Sequence, residues 1–145
     1  MPTANDILGH KGFSVHVVKP STSVLDAVER MNQLRVGAVV VMDDGEVKGM
    51  FTERDVLMRV VGEGRDPAGV KVGDVMTRDV ICVTPDTDMD EISAIMKNRR
   101  IRHLPVCDDD GDLLGLISIG DVNAYHASNQ EMTITYLNEY IYGRA

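Results

Sequence analysis

No stretch of this 145-residue chain approaches the roughly 18 to 20 consecutive apolar residues that a membrane-spanning helix requires. Positive charge is also in short supply: 15 Lys and Arg stand against 23 Asp and Glu, a formal net charge of −8. Proteins that hold nucleic acid or anionic membrane surfaces usually present a net basic face, so neither partner is expected, and an anionic ligand must be met by a local cluster of cations. Cysteine is limited to Cys82 and Cys107, which fit no metal-ligand spacing and are read as reduced core thiols. The opening MPTANDILGHKG lacks the basic-then-apolar order of a secretion signal, so a cytosolic location is expected. No Ser-His-Asp set, Walker loop or pair of catalytic carboxylates can be assembled from the motifs present. His10, His16 and His126 have no partner at metal-ligand spacing.

What the chain does have is an internal repeat. A shift of 65 brings Pro20 onto Pro85, Thr22 onto Thr87, Asp26 onto Glu91, Met31 onto Met96 and Val41 onto Val106. After one inserted residue the shift becomes 66, so that Gly45 meets Gly111, Gly49 meets Gly115, Thr52 meets Ser118 and Asp55 meets Asp121. Repeats of this kind are best read before any single motif.

Each copy has the same periodicities. SVLDAVERMNQL carries apolar residues at 24, 25, 28, 31 and 34, one helix face, with Ser23 as its N-cap. GAVVVMDDGEVKGMFT predicts two strands joined by a tight Asp-Asp-Gly turn. TERDVLMRVV is again helical, its apolar face built from Val56, Leu57, Val60 and Val61. In the second copy the same order predicts a short strand at 80–83, a helix near 88–98, strands near 103–107 and 112–117, and a helix from about 119. The acidic run DDDGD at 108–112 lacks the spacing and closing Glu of a calcium loop and is read as the hairpin turn. Copies of about 50 residues bury little of their surface alone, so the two are expected to share an apolar interface.

GMFTERD and GLISIGD, with DVMT between the copies and IRHLPV before the second hairpin, give the chain a close resemblance to a tandem pair of cystathionine-β-synthase (CBS) domains, a stand-alone Bateman module. The resemblance runs from about residue 13 to 127. It implies an α+β fold of two β-α-β-β-α repeats packed with pseudo-twofold symmetry, divided as an N-terminal segment (1–12), repeat one (13–62), a linker (63–79), repeat two (80–127) and a C-terminal helix (128–145). The linker carries a short apolar turn at Val72, Val75 and Met76. The C-terminal stripe of Ile134, Leu137 and Ile141, with Tyr136 and Tyr140 beside it, needs a partner and is expected to support a homodimer.

By the same resemblance the ligand is an adenosine derivative: AMP, ADP, ATP, S-adenosylmethionine or a nicotinamide dinucleotide (NAD(H)), with no catalysis and no catalytic cofactor. The residues add physical reasons. Ser118 at a strand end, followed by Ile119 and Gly120 in the first helical turn, offers free N–H groups and a helix dipole to a phosphate. Asp121, acceptor-only when ionised, suits both hydroxyls of a ribose. Arg102 and His103 belong to the one dense basic run, and the resemblance places them where phosphate is contacted. An apolar slot for the base is expected from Ile81, Val83, Leu104 and Pro105. In repeat one Gly37 and Ala38 replace Arg102 and His103. Thr52, Arg54 and Asp55 are therefore expected to form a weaker site or to reach across toward the first ligand.

Two plainer readings stand beside this one. Ser or Thr with an acid three residues later is a capping box, which needs no ligand. The whole module can equally be an interaction or assembly unit without a physiological nucleotide, whose downstream protein partner leaves no readable motif.

Overall fold

Ser23 caps the first long helix as its sequence requires, its hydroxyl accepting from the Asp26 N–H at 3.1 Å. The computed structural model describes residues 2–127; the stripe of Ile134, Leu137 and Ile141 lies outside them. The elements run α1 (Ala4–Lys11), β1 (Val17–Val18), α2 (Val24–Leu34), β2 (Ala38–Asp43), β3 (Glu46–Thr52), α3 (Glu53–Asp55) continuing into a π-helical stretch (Val56–Val61), a 3₁₀ turn (Pro67–Gly69), α4 (Val72–Val75), α5 (Met89–Arg99), β4 (His103–Cys107) and β5 (Leu113–Ser118). A last helix, α6, covers 119–127. Asp88 caps α5 as Ser23 caps α2, accepting from the Glu91 N–H at 2.8 Å.

Both hairpins form, β2 against β3 and β4 against β5. The first turns on Asp44 and Gly45, both at positive φ (50° and 77°), the two-residue turn that matches strand twist. The second is one residue longer and is closed by Gly111 at φ 85°, with Asp108 accepting from the N–H groups of Asp110 and Asp112. Register slips at Val41/Met42 and at Val106/Cys107, equivalent positions of the repeat.

One expected strand shrinks. In repeat one β1 pairs in parallel with β2, and the Val40 N–H donates to the His16 carbonyl. In repeat two the segment 80–83 makes a single bridge, Val83 to Val106. The residue equivalent to Val40 is Pro105, which has no N–H, so the ladder bond to the Ile81 carbonyl cannot form. Cys82 faces out and is exposed, as is its counterpart Val17 in β1, a correction to its reading as core, while Cys107 is buried. Burial, helped by a hydrogen bond and charge from the neighbouring Cys82, pushes the Cys107 thiol up to about 12.

Each repeat has its own core. Val24, Ala27, Met31, Val39, Val41 and Phe51 centre the first, and Ile92, Met96, Leu104, Val106 and Ile117 the second. A third cluster of Ala38, Val40 and Met50 packs with Val80, Leu113 and Leu116, which is the shared interface between the copies. The segment before each repeat docks on the other one. Ala4 and Asn5 donate to the carbonyls of Thr87 and Pro85, while Val72 and Gly73 donate to the equivalent carbonyls of Thr22 and Pro20. Thus α1 belongs to the second core through Ile7 and Leu8, and α4 to the first through Val72 and Val75.

That exchange explains the glycine that opens each motif. A Cβ on Gly49 would lie 2.4 Å from the Thr77 carbonyl oxygen, and one on Gly115 would lie 2.7 Å from the Leu8 methyl carbons. The glycines let the exchanged segments lie directly on β3 and β5.

Candidate functional site

Both hydroxyl–acid motifs are capping boxes. The Thr52 N–H donates to Asp55 Oδ2 at 3.0 Å and the Asp55 N–H to the Thr52 hydroxyl at 3.2 Å. In repeat two the Ser118 N–H donates to Asp121 Oδ2 at 2.8 Å and the Asp121 N–H to Ser118 Oγ at 3.1 Å. Each box orients an acid and leaves the first turn of a helix beside it.

The two acids then differ. Asp55 is 5% exposed. Its Oδ2 also accepts from the Thr52 hydroxyl, its Oδ1 accepts from the Thr77 hydroxyl at 3.0 Å, and Arg59 Nε lies at 3.9 Å. Asp121 is half-buried and pairs with Lys11, Nζ to Oδ2 at 2.7 Å. Burial works to raise the Asp121 carboxyl, but the Lys11 and Ser118 hydrogen bonds and the Lys11 charge outweigh it and hold the group below the ordinary carboxylate range.

A cleft of about 990 Å³ runs between the repeats, at the upper end of the range for small-molecule sites. Repeat one contributes Thr52, Glu53, Arg54, Asp55 and Arg59 from the motif and the turn after it. Repeat two contributes Arg100, Arg102 and His103 from the α5–β4 junction, together with Ile81 and Ile119. The crossing segment adds Thr77, Asp79 and Val80. Four arginines thus surround a slot whose apolar wall is Met50, Leu57, Met58, Val80, Ile81 and Ile101. Arg59 is already engaged, donating to the carbonyls of Val75 and Met76 at 3.2 and 3.0 Å. His103 is driven downward from the usual histidine pKa first by burial and then by the charges of Arg102 and Lys11, against the pull of Glu53 and Asp121. It is therefore a neutral hydrogen-bonding group at neutral pH rather than a fixed cation.

Of the residues singled out in the sequence, the cleft brings together Thr52, Arg54, Asp55, Ile81, Arg102, His103 and Ile119. Thr52, Arg54 and Asp55 of repeat one thus share one cleft with Arg102 and His103 of repeat two. Ser118, Gly120 and Asp121 do not line it. Leu104 and Val83 are buried in the second core and Pro105 is buried in β4, because successive strand side chains alternate faces and this strand is covered on both. Arg59 and Thr77 were not among the expected site residues. The signal for Arg59 was its place four residues after Asp55; Thr77 closes the DVMT stretch on which the resemblance rests.

A second hollow of about 470 Å³ lies beside α5 and α6, with Lys97, Arg100, Arg102 and His126 on its rim. The Asp108, Asp110 and Asp112 carboxylates converge within 4.8 Å, as the turn they build requires.

With this geometry, the comparisons agree on one architecture. A family profile described as the CBS domain matches residues 11–62 and 72–127. The CBS domain-containing protein CBSX3, mitochondrial, of Arabidopsis thaliana is 38% identical over 150 residues, covering 97% of this chain and 72% of that protein. The crystal structure of the CBS-domain containing protein ATU1752 of Agrobacterium tumefaciens superposes with a TM-score of 0.81 at 38% identity, covering 86% of this chain and 98% of that one. The CBS domain pair of protein MJ0100 superposes with a TM-score of 0.79 at 19% identity, over 89% and 98% of the two chains, a likeness of fold alone.

Proposed function

This chain belongs to the CBS-domain family as a tandem pair, and on that premise we propose that it is a regulatory module binding an adenosine nucleotide in the cleft between its repeats. The observation that carries the reading is the meeting of Arg54 from repeat one with Arg100, Arg102 and His103 from repeat two around one slot, in a protein whose net charge is −8. Guanidinium groups hold phosphates through paired, charge-assisted hydrogen bonds. The base then lies against Ile81, Val80 and Met50. Pro105 supports this placement: its missing N–H leaves the Ile81 carbonyl without a ladder donor, and a free carbonyl suits an exocyclic amino group. The MJ0100 pair was crystallised with methylthioadenosine and S-adenosyl-L-methionine; the ligand reading here rests on the cleft, since that likeness carries only the fold.

A ligand that touches both repeats favours one arrangement of them by its differential affinity, and a protein partner can read that arrangement. No catalytic role is proposed. We further propose a homodimer, supported by Leu57, Met58 and Val61, which are 65, 57 and 63% exposed on one segment, an uncovered apolar surface whose Leu57 and Met58 border the cleft. No described helix is long and apolar enough to cross a membrane. The cytosol is our reading for this chain, although the Arabidopsis relative is named as mitochondrial.

The test is a calorimetric titration with AMP, ATP, S-adenosylmethionine and NADH. Saturable heat from at least one is expected. No heat from any at about 1 mM, where binding is worth only about 4 kcal/mol, would leave an assembly module without a nucleotide ligand as the better account.

A further inference from the structure

The second motif already has an occupant. Lys11, the last residue of α1, places its ammonium 2.7 Å from Asp121 Oδ2 and 2.7 Å from the Leu116 carbonyl oxygen. Asp55 takes its side-chain donors from the hydroxyls of Thr52 and Thr77, and its nearest cation, Arg59 Nε, stands off at 3.9 Å. Counting on by the 68-residue offset that relates α1 to α4 brings Lys11 to Asp79, beyond the end of α4 at Val75, a residue that lines the cleft and carries the opposite charge.

We propose that the Lys11–Asp121 pair is an autoinhibitory latch, which fills the second motif with the chain's own ammonium group so that each chain takes a single nucleotide. The inference rests on the nucleotide reading of the motifs given above. A ribose diol reaching Asp121 would have to displace a charged ammonium donor at 2.7 Å, whereas at Asp55 the side-chain donors within hydrogen-bond distance are neutral hydroxyls. The pair is only partly exposed, 32% for the Lys11 side chain and 22% for Asp121, so it is less screened than a free surface pair. Opening it pulls on α1, whose Ile7 and Leu8 are buried in the second core and whose first residues are tied to Thr87 and Pro85. Occupancy of the second motif is thereby coupled to the docking of the N-terminal helix.

The experiment counts AMP and ATP sites per chain by calorimetry in the wild type, Lys11→Ala and Lys11→Ala/Asp121→Asn. The same samples are followed by amide hydrogen exchange over residues 7–12, with Asp121→Asn alone added. The expected site numbers are one, two and one. Exchange is expected to quicken by roughly tenfold in either single variant, and no further in the double, as for a lost charged hydrogen bond. Two sites in the wild type, or one in Lys11→Ala, would overturn the latch. If no variant binds either nucleotide, the nucleotide reading fails. The exchange data then decide the ion pair: equal rates in all four proteins, or additive effects in the double variant, would overturn it as well.

Discussion

Thr52–Asp55 and Ser118–Asp121 are the same capping box built twice, yet one acid ends in the floor of a cleft and the other in an ion pair. The difference lies in the segments that cross between repeats. After α4 the chain supplies Thr77, a neutral donor, to Asp55; at the end of α1 it supplies Lys11 to Asp121. A second asymmetry compounds the first. Gly37 and Ala38 of repeat one are matched by Arg102 and His103 in repeat two, so repeat one's motif, beside its own Arg54 and Arg59, draws its further basic residues from the other copy. Duplication gives the two sites one backbone, and the crossing segments make them chemically unlike.

The sharpest way to break the comparison is at the paired glycines. Gly49→Ala drives a methyl into a backbone oxygen 2.4 Å away and is expected to cost about 3 kcal/mol. Gly115→Ala meets only the movable Leu8 side chain and should cost about 1 kcal/mol. Urea midpoints at a common slope measure both. Next come the acids. Asp55→Ala strands the Thr52 N–H and the Thr77 hydroxyl in a buried place and should cost about 2 to 3 kcal/mol, against about 1 kcal/mol for the more exposed Asp121→Ala or the lost cap of Ser118→Ala. Equal losses at Asp55 and Asp121 would show that burial does not separate the sites.

Affinity gives two further tests. Arg102→Ala is expected to weaken nucleotide binding roughly tenfold to a hundredfold, the worth of a charge-assisted contact, with little change in stability. The smallest effect is that of pH. The free-protein His103 is held neutral by burial, and an arriving phosphate favours its protonated form. Binding therefore takes up a proton, and affinity should rise a few-fold as pH falls from about 7.5 to about 6. His103→Gln should flatten that slope. The stability linkage has the opposite sense: with its pKa lowered on folding, His103 favours the folded state above about pH 6.5 and opposes it below.

Much of the fold was legible because it is written twice. The first helix with its Ser23 cap, the place of the second, both hairpins and the inserted turn residue follow from local periodicity and turn chemistry; of the face expected at 24, 25, 28, 31 and 34, Val24 and Met31 are buried and Val28 and Leu34 half-buried, while Leu25 is exposed and Ala27 is buried in its stead. Three features depended on what lay across the molecule. Pro105 thinned the first strand of repeat two through a bond it cannot donate. The π-helical turn after Asp55, with Gly62 N–H donating to the Leu57 carbonyl, turned Leu57 and Val61 outward, where a regular helix was expected to bury them. The exchange of α1 and α4 also went unread, although PTANDIL and VKVGDVM share Asp6/Asp74 and Ile7/Val75 at one offset. In the cleft, Arg102 and His103 were visible as the dense basic run. Arg59 was hidden because its partners, Asp55 and the carbonyls after α4, are assembled only by folding.

The most direct test of the central claim is to titrate the wild type and the Arg54→Ala/Arg102→Ala double variant side by side with the nucleotide that gives the largest heat. Saturable binding that the double variant lowers by about a hundredfold or more, with its melting temperature unchanged, is the predicted result. Equal affinities in the two proteins would contradict a site built across the repeats.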